Sequence, residues 1–258
     1  MNGKDLQSKK RIPVLLYHRI DREAEAEFRP FCVDPDAFEA QMAWLAGEGF
    51  ATISLAQLQD HYTNGADVPE RPIVITFDDG YFCNYSRAYP IMQKHGFAGT
   101  IFLATDLMRQ PSPAVESRES FMTWQEIAEM HSAGFAFEAH GCSHRALTSI
   151  SLDEVAREAR ESKQLIESEL DKTVRYFCYP YSQYNDRIID IIADSGYKGA
   201  CGGPPFWDDG PHNWYEIGRT EILWSDNLKQ FRFKIRHGLG YYYFTKRQLG
   251  KIKKKIKL

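Results

Sequence analysis

The sequence predicts an α/β fold built on mostly parallel strands. Short apolar runs typical of strands alternate with amphipathic runs typical of helices, as in chains where a helix follows each strand. Polar side chains repeatedly come directly after the apolar runs. This placement is typical of barrels and open parallel sheets, in which ligands bind at the carboxyl ends of the strands.

Apolar runs predict four strands in the first half of the chain, at residues 12–16, 50–53, 73–77 and 99–103. Between the first two, Phe38, Met42 and Leu45 recur at the spacing of a helical face. Ser54 is a candidate N-cap for the next helix, because its hydroxyl can accept a hydrogen bond from a free N–H of the first turn. The helix before the fourth strand is expected to end at residues 95–96.

The second half continues the alternation, and two of its helices begin at capping boxes. Thr123 pairs with Glu126 and Ser151 with Glu154, so that each pair can satisfy two free backbone N–H groups at a helix start. The strands predicted here are residues 135–139, 174–179, 199–201 and 216–222. Helices are also expected at residues 188–192 and from residue 227, and the segments typical of surface loops are 110–120 and 202–213.

The composition of this 258-residue chain favours one globular domain. Hydrophobic residues make up 43% and aromatic residues 14%, which is ample for a sizeable core, and a barrel of roughly 250 residues commonly forms a single domain. No internal repeat or low-complexity linker marks a boundary. The net charge of -3 gives no indication of nucleic-acid binding. Scattered cysteines without a CxxC pair are typical of reduced thiols, so we expect a cytoplasmic protein.

The two ends of the chain are expected to lie outside the domain, which we place at residues 12–245. Residues 1–11 are polar and show neither a secretory signal nor a membrane span, so we predict a flexible N-terminus. Residues 246–258 are strongly basic, with apolar residues at helical spacing. Two interpretations stay open for this tail: a solvated, frayed helix, or an amphipathic segment in peripheral contact with anionic membrane.

Two polar motifs indicate a metal centre. Asp78 and Asp79 end the strand at 73–77, and burying adjacent carboxylates is costly unless a cation offsets their charge. His140 and His144 follow another predicted strand, with three residues between them. One Asp and two His provide three ligands, and a catalytic zinc site keeps its fourth position open for water. The other Asp can then act as a base, so the pattern predicts a metal-dependent hydrolase.

Three motifs resemble those of a known family. The segments TFDDGY at 76–81, HGCSH at 140–144 and FCYPY at 177–181 resemble, in this order, the main motifs of the polysaccharide deacetylases, carbohydrate esterase family 4. The opening LYHRI at 16–20 resembles the branch that includes poly-N-acetylglucosamine deacetylases. The resemblance covers about residues 13–238, nearly the whole chain. It implies a single-domain, distorted and incomplete (β/α) barrel with a metal ion at its mouth.

The resemblance also implies a role for each motif residue. Asp79, His140 and His144 would hold the metal, Asp78 would act as general base, and the backbone N–H of Tyr181 would help to bind the oxyanion. The ligand types make Zn2+ the default ion, and Co2+, Ni2+ or Fe2+ suit the same set. The implied reaction is the removal of N-acetyl groups from an N-acetylated amino sugar in a polysaccharide or glycan precursor, with release of acetate.

Other side chains at strand ends are candidates for substrate binding. His18 follows the first predicted strand, Tyr81 follows the acidic pair, and Tyr181 follows the strand at 174–179. Tyrosine rings can stack on sugar faces, and we favour this role for Tyr181. The alternative is structural, since aromatic residues after strands more often pack in the core, and a histidine at a strand end can equally be a satisfied structural residue.

The chain departs from the family at three positions. Gly141 stands where the family usually has a hydroxyl residue, directly after the first histidine. Cys178 stands where the family often has an arginine that holds the base, and Arg219 is our candidate replacement for it. The family's late Leu-x-His motif, which supplies the general acid, has no match near the C-terminus. We therefore put forward His237 for that role, with His212 as a second candidate.

These departures leave open a catalytically weak carbohydrate-binding protein of the same fold. Independently of them, the same site could act on another bond, either as an O-acetyl esterase on a glycan or on a non-sugar amide. In the cytoplasm, a lipid-linked or nucleotide-linked amino-sugar precursor suits the predicted site better than an intact extracellular polysaccharide. The basic tail would favour a membrane-borne substrate.

Overall fold

The computed structural model describes residues 11–22, 26, 28–108, 121–203 and 213–237. Three predictions concern segments outside these described residues: the basic tail at 246–258, most of the N-terminus at 1–11, and nearly all of the loop at 110–120. His212 and most of the loop at 202–213 also lie outside them. The described residues form strands and helices in the alternating order that the sequence predicts.

The strands and helices follow the apolar patterns closely. The strands are β1 (Val14–Tyr17), β2 (Arg19–Ile20), β3 (Cys32–Val33), β4 (Ala51–Thr52), β5 (Pro72–Phe77), β6 (Thr100–Leu103), β7 (Ala136–Ala139), β8 (Tyr176–Cys178), β9 (Gly199–Gly203), β10 (Ile217–Gly218) and β11 (Thr220–Glu221). The helices are α1 (Pro35–Gly47), α2 (Leu55–Asn64), α3 (Tyr89–Lys94), α4 (Trp124–Ser132), α5 (Leu152–Leu170), α6 (Asp186–Asp194) and α7 (228–237). The predicted strand at 216–222 is divided into β10 and β11 at Arg219.

Nine strands form one parallel sheet that is nearly closed into a barrel. Its order is β10-β9-β8-β7-β6-β5-β1-β11, with β4 paired to β5, while β2 and β3 form a separate parallel pair. The two edge strands, β10 and β11, are consecutive in the chain and are separated only by Arg219. The edges of the sheet therefore meet at Arg219, which we call the seam. This single-domain (β/α) barrel confirms the predicted fold class.

The helix caps proposed from the sequence are present. The hydroxyl of Ser54 accepts a hydrogen bond from the N–H of Gln57 at the start of α2, and Thr123 and Ser151 begin α4 and α5 in the same way. In all three, the side chain of the third helical residue bonds back to the cap, which completes a capping box. Within the described residues, no helix has the length and apolar character needed to cross a membrane.

Alternate residues of the strands fill two separate cores. Along β5, Ile75 and Phe77 pack in the layer between the sheet and the helices. Val74 packs instead in the barrel interior, together with Phe102 of β6 and Tyr176 of β8. Because both faces of these parallel strands are buried, their sequences are continuous apolar runs. Helix α2 packs against the interior core at the amino ends of the strands, so the polar residues at the carboxyl ends meet at the opposite mouth.

A buried ion pair and a hydrogen bond connect α7 to the segment before it and to β11. The ammonium of Lys234 has no solvent exposure and lies 2.5 Å from Oδ2 of Asp226. It also donates a hydrogen bond to the carbonyl of Glu221 in β11, at 2.8 Å. The ring of Phe231, on the same helix, meets Trp44 of α1 edge to face. Helix α7 thus holds the last strand from the outer layer of the barrel.

Replacing Lys234 with methionine is expected to lower the free energy of unfolding by about 3–5 kcal/mol, because Asp226 is left as an uncompensated buried charge. Urea denaturation followed by circular dichroism measures this loss. The double variant Lys234→Met/Asp226→Asn removes the orphaned charge and should recover part of the stability. A single variant within about 1 kcal/mol of wild type would show that the pair is not needed to dock α7.

Candidate active site

A pocket of about 520 Å³ opens at the carboxyl ends of the strands. It is lined by eight of the side chains that the sequence proposed for the site: His18, Asp78, Asp79, Tyr81, His140, His144, Tyr181 and Arg219. They come from segments that are far apart in the chain, and the parallel sheet brings them to one mouth. Of the two histidines proposed as the general acid, His237 does not line this pocket and His212 lies outside the described residues.

Asp79, His140 and His144 converge on one point at the mouth. Nε2 of His140 lies 3.3 Å from Oδ1 of Asp79, and Nε2 of His144 lies 3.0 Å from the same oxygen. This oxygen is buried and accepts no hydrogen bond of normal geometry from the described residues. Burial raises the pKa of Asp79, but the imidazoles around it outweigh this and hold the pKa far below its usual value. The side chain is therefore a carboxylate.

This triad fits a divalent cation. Nδ1 of His140 lies 2.7 Å from the carbonyl of Cys178, and since a carbonyl can only accept, this nitrogen carries the proton. Nε2 of His140 is therefore the nitrogen that faces Asp79, and it can serve as a ligand when a cation takes the place of its proton. Two imidazole nitrogens and one carboxylate oxygen are the donor set of many zinc sites with an open position.

A second cluster, formed by Asp78, His140 and Cys178, also has its donor atoms within 4.8 Å of one another. Arg219 excludes a cation from it. The guanidinium contacts both carboxylate oxygens of Asp78, at 2.6 and 2.7 Å, and donates to Sγ of Cys178 at 3.0 Å. A positive charge therefore already occupies this cluster, and the only set open to a metal among the described residues is the triad that includes Asp79.

The contact between Arg219 and Asp78 is the one that the sequence analysis proposed as a substitute for the arginine missing at Cys178. Arg219 reaches the base from the seam, and its Nη1 also donates to the hydroxyl of Thr76, at 3.2 Å. Burial raises the pKa of Asp78, but the charge and hydrogen bonds of the guanidinium outweigh this and hold the pKa below its usual value. Asp78 is thus ionised, and it is not one of the three side chains that could hold a metal.

Backbone strain is concentrated at the pocket. Five non-glycine residues of the described chain have a positive φ, and four of them line the pocket: Asp79 (75°), His144 (56°), Tyr181 (58°) and Ser182 (53°). A residue with a Cβ in this region is strained by about 1–2 kcal/mol, and such residues cluster at functional sites. The surrounding fold must therefore hold these side chains in place against their local preference.

Tyr181 lies in a tight turn that directs its backbone at the pocket. The N–H groups of Ser182 and Gln183 donate back to the carbonyls of Tyr179 and Pro180. No described residue accepts a hydrogen bond from the N–H of Tyr181. Tyr181 as a whole is 63% exposed, and its ring lies 4.9 Å from the ring of His144, centroid to centroid. Both the ring and the amide of Tyr181 are therefore available to a ligand at the mouth.

The structure places the histidine candidates for the general acid differently from the sequence analysis. His237 is exposed on α7, where its ring packs on Phe233 with centroids 4.5 Å apart, in the outer layer of the fold. His18 lines the pocket, at the end of β1. The residues Leu16-Tyr17-His18 are themselves a Leu-x-His motif. In a nearly closed barrel the first and last strands are neighbours, and β1 does pair with β11. His18 is therefore brought to the same mouth as the residues that follow the late strands.

Several lining residues were not identified from the sequence. Phe28, Phe31 and Phe121 add aromatic surface, and the ring of Phe121 stacks on Tyr81 with centroids 5.0 Å apart. None of them follows a predicted strand, so the rule that finds polar residues at strand ends could not select them. Ser182 lies one residue beyond the FCYPY motif, and its adjacency to Tyr181 was the available signal.

Comparison with known proteins decides the family. Residues 65–200, about half of the chain, match the model of the polysaccharide deacetylase family. The chain belongs to the polysaccharide deacetylase family. Streptococcus pyogenes deacetylase PplD, solved in complex with acetate, superposes with a TM-score of 0.77 at 24% identity and covers 87% of this chain and 97% of that chain. At this identity the likeness shows the fold, and it agrees with the predicted barrel.

Two curated polysaccharide deacetylase relatives are similar over most of this chain. Bacillus subtilis (strain 168) YxkH is 27% identical, over 73% of this chain and 63% of that protein. The poly-β-1,6-N-acetyl-D-glucosamine N-deacetylase of Escherichia coli (strain K12) is 26% identical, over 70% of this chain and 32% of that protein. The matched part is thus less than two thirds of either relative.

Replacing Arg219 with methionine is expected to raise the pKa of Asp78, because burial would then act without the opposing guanidinium. In wild type, the lowered pKa contributes stability at neutral pH that is lost only in acid, as the pH falls through the folded-state pKa. In the variant the sign reverses, and stability falls as the pH rises. The acid limb of any pH–activity profile that depends on ionised Asp78 moves to higher pH.

Urea unfolding at several pH values measures this change in the pH dependence of stability. At neutral pH, the free energy of unfolding of Arg219→Met should be about 3–5 kcal/mol lower than that of wild type. Arg187→Met, an exposed substitution of the same kind on α6, is the matched control. If the two variants have the same stability and the same pH dependence, Arg219 does not set the charge of Asp78.

Proposed function

We propose that this chain is a metal-dependent N-deacetylase that removes acetyl groups from N-acetylated amino sugars of a glycan and releases acetate. The observation that carries the proposal is that two neighbouring carboxylates have separate partners. Asp78 contacts the Arg219 guanidinium, whereas Asp79 faces two imidazoles. One carboxylate is kept ionised and free to act as general base, while the other completes a ligand set.

Asp79, His140 and His144 would hold the cation, and the ligand types favour Zn2+, with Co2+, Ni2+ or Fe2+ as alternatives. When bound, such an ion supplies Lewis acidity, which polarises the acyl oxygen and makes water acidic enough to lose a proton near neutral pH. Asp78 accepts that proton as water attacks the acetamide carbon. The N–H of Tyr181 donates to the developing oxyanion, and such a donor contributes about 3 kcal/mol in hydrolases.

We assign the proton donor to His18. Breaking the amide bond requires a proton on the departing amine, and an imidazole is the side chain most often used for this step. Among the described residues that line the pocket, His18 is the one histidine outside the triad. His18 directly follows β1, which pairs with both β5 and β11, so it reaches the same mouth as Asp78 and Arg219.

The substrate is proposed to contain N-acetylglucosamine, since one relative is named for its action on poly-β-1,6-N-acetyl-D-glucosamine. The aromatic lining of the pocket suits a sugar ring. Other parts of the proposal come from the sequence: a cytoplasmic location, a lipid-linked or nucleotide-linked precursor as acceptor, no nucleic-acid partner, and contact of the tail at 246–258 with anionic membrane.

Metal-free protein with added Zn2+ or Co2+ should release acetate from N-acetylglucosamine oligosaccharides, and Asp78→Asn should lower kcat by about 10²–10⁴-fold because the base is lost. Asp190→Asn, an exposed substitution on α6, is the control. Circular dichroism and bound-metal content establish that Asp78→Asn is folded and loaded. Acetate release that is unaffected by Asp78→Asn contradicts the proposal. Acetate release from acetyl esters but from no amide would favour the O-acetyl esterase. Glycan binding without any acetate release would favour a carbohydrate-binding protein.

His18→Ala is expected to lower kcat on the amide substrate by about 10²–10⁴-fold while metal content stays unchanged. On an activated aryl acetate the loss should be much smaller, because that leaving group departs without a proton. His237→Ala, on the outer layer, should behave as wild type on both substrates. An equal loss on amide and ester in His18→Ala would show that His18 binds substrate and does not donate the proton.

A further inference from the structure

The loop between the two metal-site histidines is wrapped around a buried carboxylate. Glu158, on α5, is only 3% exposed. Its Oε2 accepts hydrogen bonds from the backbone N–H groups of Cys142, at 2.6 Å, and Ser143, at 3.0 Å, while its Oε1 accepts from the hydroxyl of Ser143, at 2.5 Å. Three of the donors between His140 and His144 therefore meet on one side chain. Such charge-assisted hydrogen bonds are about twice as strong as neutral ones.

Gly141 belongs to the same arrangement. Its φ is +76°, and a Cβ built on it would lie 2.9 Å from Oε2 of Glu158. A side chain at this position would push against the carboxylate as well as strain the backbone. The absence of a side chain at Gly141 thus leaves the space that the carboxylate of Glu158 occupies beside the loop.

Glu158 projects from a rigid support. Helix α5 spans 19 residues, begins at a complete capping box, and buries Val155, Ala159 and Ile166 in the outer core. The loop that it holds ends at His144, whose positive φ of 56° is strained. A strained residue keeps its conformation only when its surroundings fix it by several contacts. The carboxylate of Glu158 provides three such contacts immediately before His144.

We infer that Glu158 is a positioning residue for the metal centre, which holds the loop at 140–144 so that Nε2 of His144 faces Oδ1 of Asp79. This inference rests on the proposed metal site. Glu158 is not itself a ligand, because its two oxygens are engaged by the loop and it is absent from the clusters that can hold an ion among the described residues. Its effect on a bound ion would be exerted through the loop that ends at His144.

A purely structural role makes a different prediction. If Glu158 only joins α5 to the loop, its removal lowers the free energy of unfolding but leaves metal affinity unchanged in the protein that remains folded. If Glu158 positions His144, metal affinity falls even under conditions in which the variant is fully folded, because part of the binding free energy is then spent on ordering the loop.

The test is the affinity of the full metal-free chain for Zn2+, measured by competition with a chromophoric chelator. Glu158→Gln keeps the shape of the side chain but replaces one acceptor oxygen with an NH₂ group, which cannot accept a hydrogen bond from the loop. We expect this variant to bind Zn2+ about 10–100-fold more weakly than wild type. Glu161→Gln, an exposed change of the same type on α5, should stay within about twofold of wild type, well below the change expected for a disturbed metal shell. Far-UV circular dichroism establishes that each variant is folded.

Ser143→Ala provides a second measurement that does not depend on the fold tolerating Glu158→Gln. It removes one donor and leaves the carboxylate paired with two N–H groups, so we expect a smaller, several-fold loss of affinity in the same direction. Equal Zn2+ affinity in wild type, Glu158→Gln and Ser143→Ala overturns the positioning role. Absence of Zn2+ binding by wild type would instead contradict the proposed metal site itself.

Discussion

The ion pair between Asp78 and Arg219 is the interaction on which the rest of the site depends. Two charges buried this deeply lose their hydration, and the loss is offset only when geometry and extra hydrogen bonds are favourable. Here both carboxylate oxygens are engaged, and Thr76 and Cys178 take further donors of the guanidinium. Because Arg219 is also the residue at the seam, one contact both connects the end of β5 to the seam and fixes the charge of the proposed base.

This pair explains how two adjacent carboxylates can have different chemistry. Neighbouring acids normally oppose each other's ionisation, and one of them would take up a proton. Asp78 and Asp79 avoid this because each faces its own cationic or metal-binding partner. The turn after β5 makes the separation possible, since the positive φ of Asp79 directs its side chain away from Asp78 and towards the histidine loop. The different surroundings of the two aspartates, and not their residue type, would therefore give them different roles.

The sequence predicted most of the fold and the location of the site because both leave local signals. A strand such as β5, buried on both faces, is a continuous apolar run, and its end is marked by Asp78. Contacts that depend on the closed barrel leave no such signal. The two-residue strands β2 and β3 are too short for any periodicity, and the bonds from the loop at 140–144 to Glu158 join segments whose spacing carries no pattern.

The same limit applies to His18. Its place at the end of the first strand gives no local sign that β1 lies beside β11, the last strand of the sheet. Arg219 is a second example. Its guanidinium comes from the seam, late in the chain, and occupies the space beside the small, buried side chain of Cys178. In a closed barrel a functional group can be supplied from any strand whose end reaches the mouth. The geometry of the mouth, and not the position of a motif in the chain, therefore defines this site.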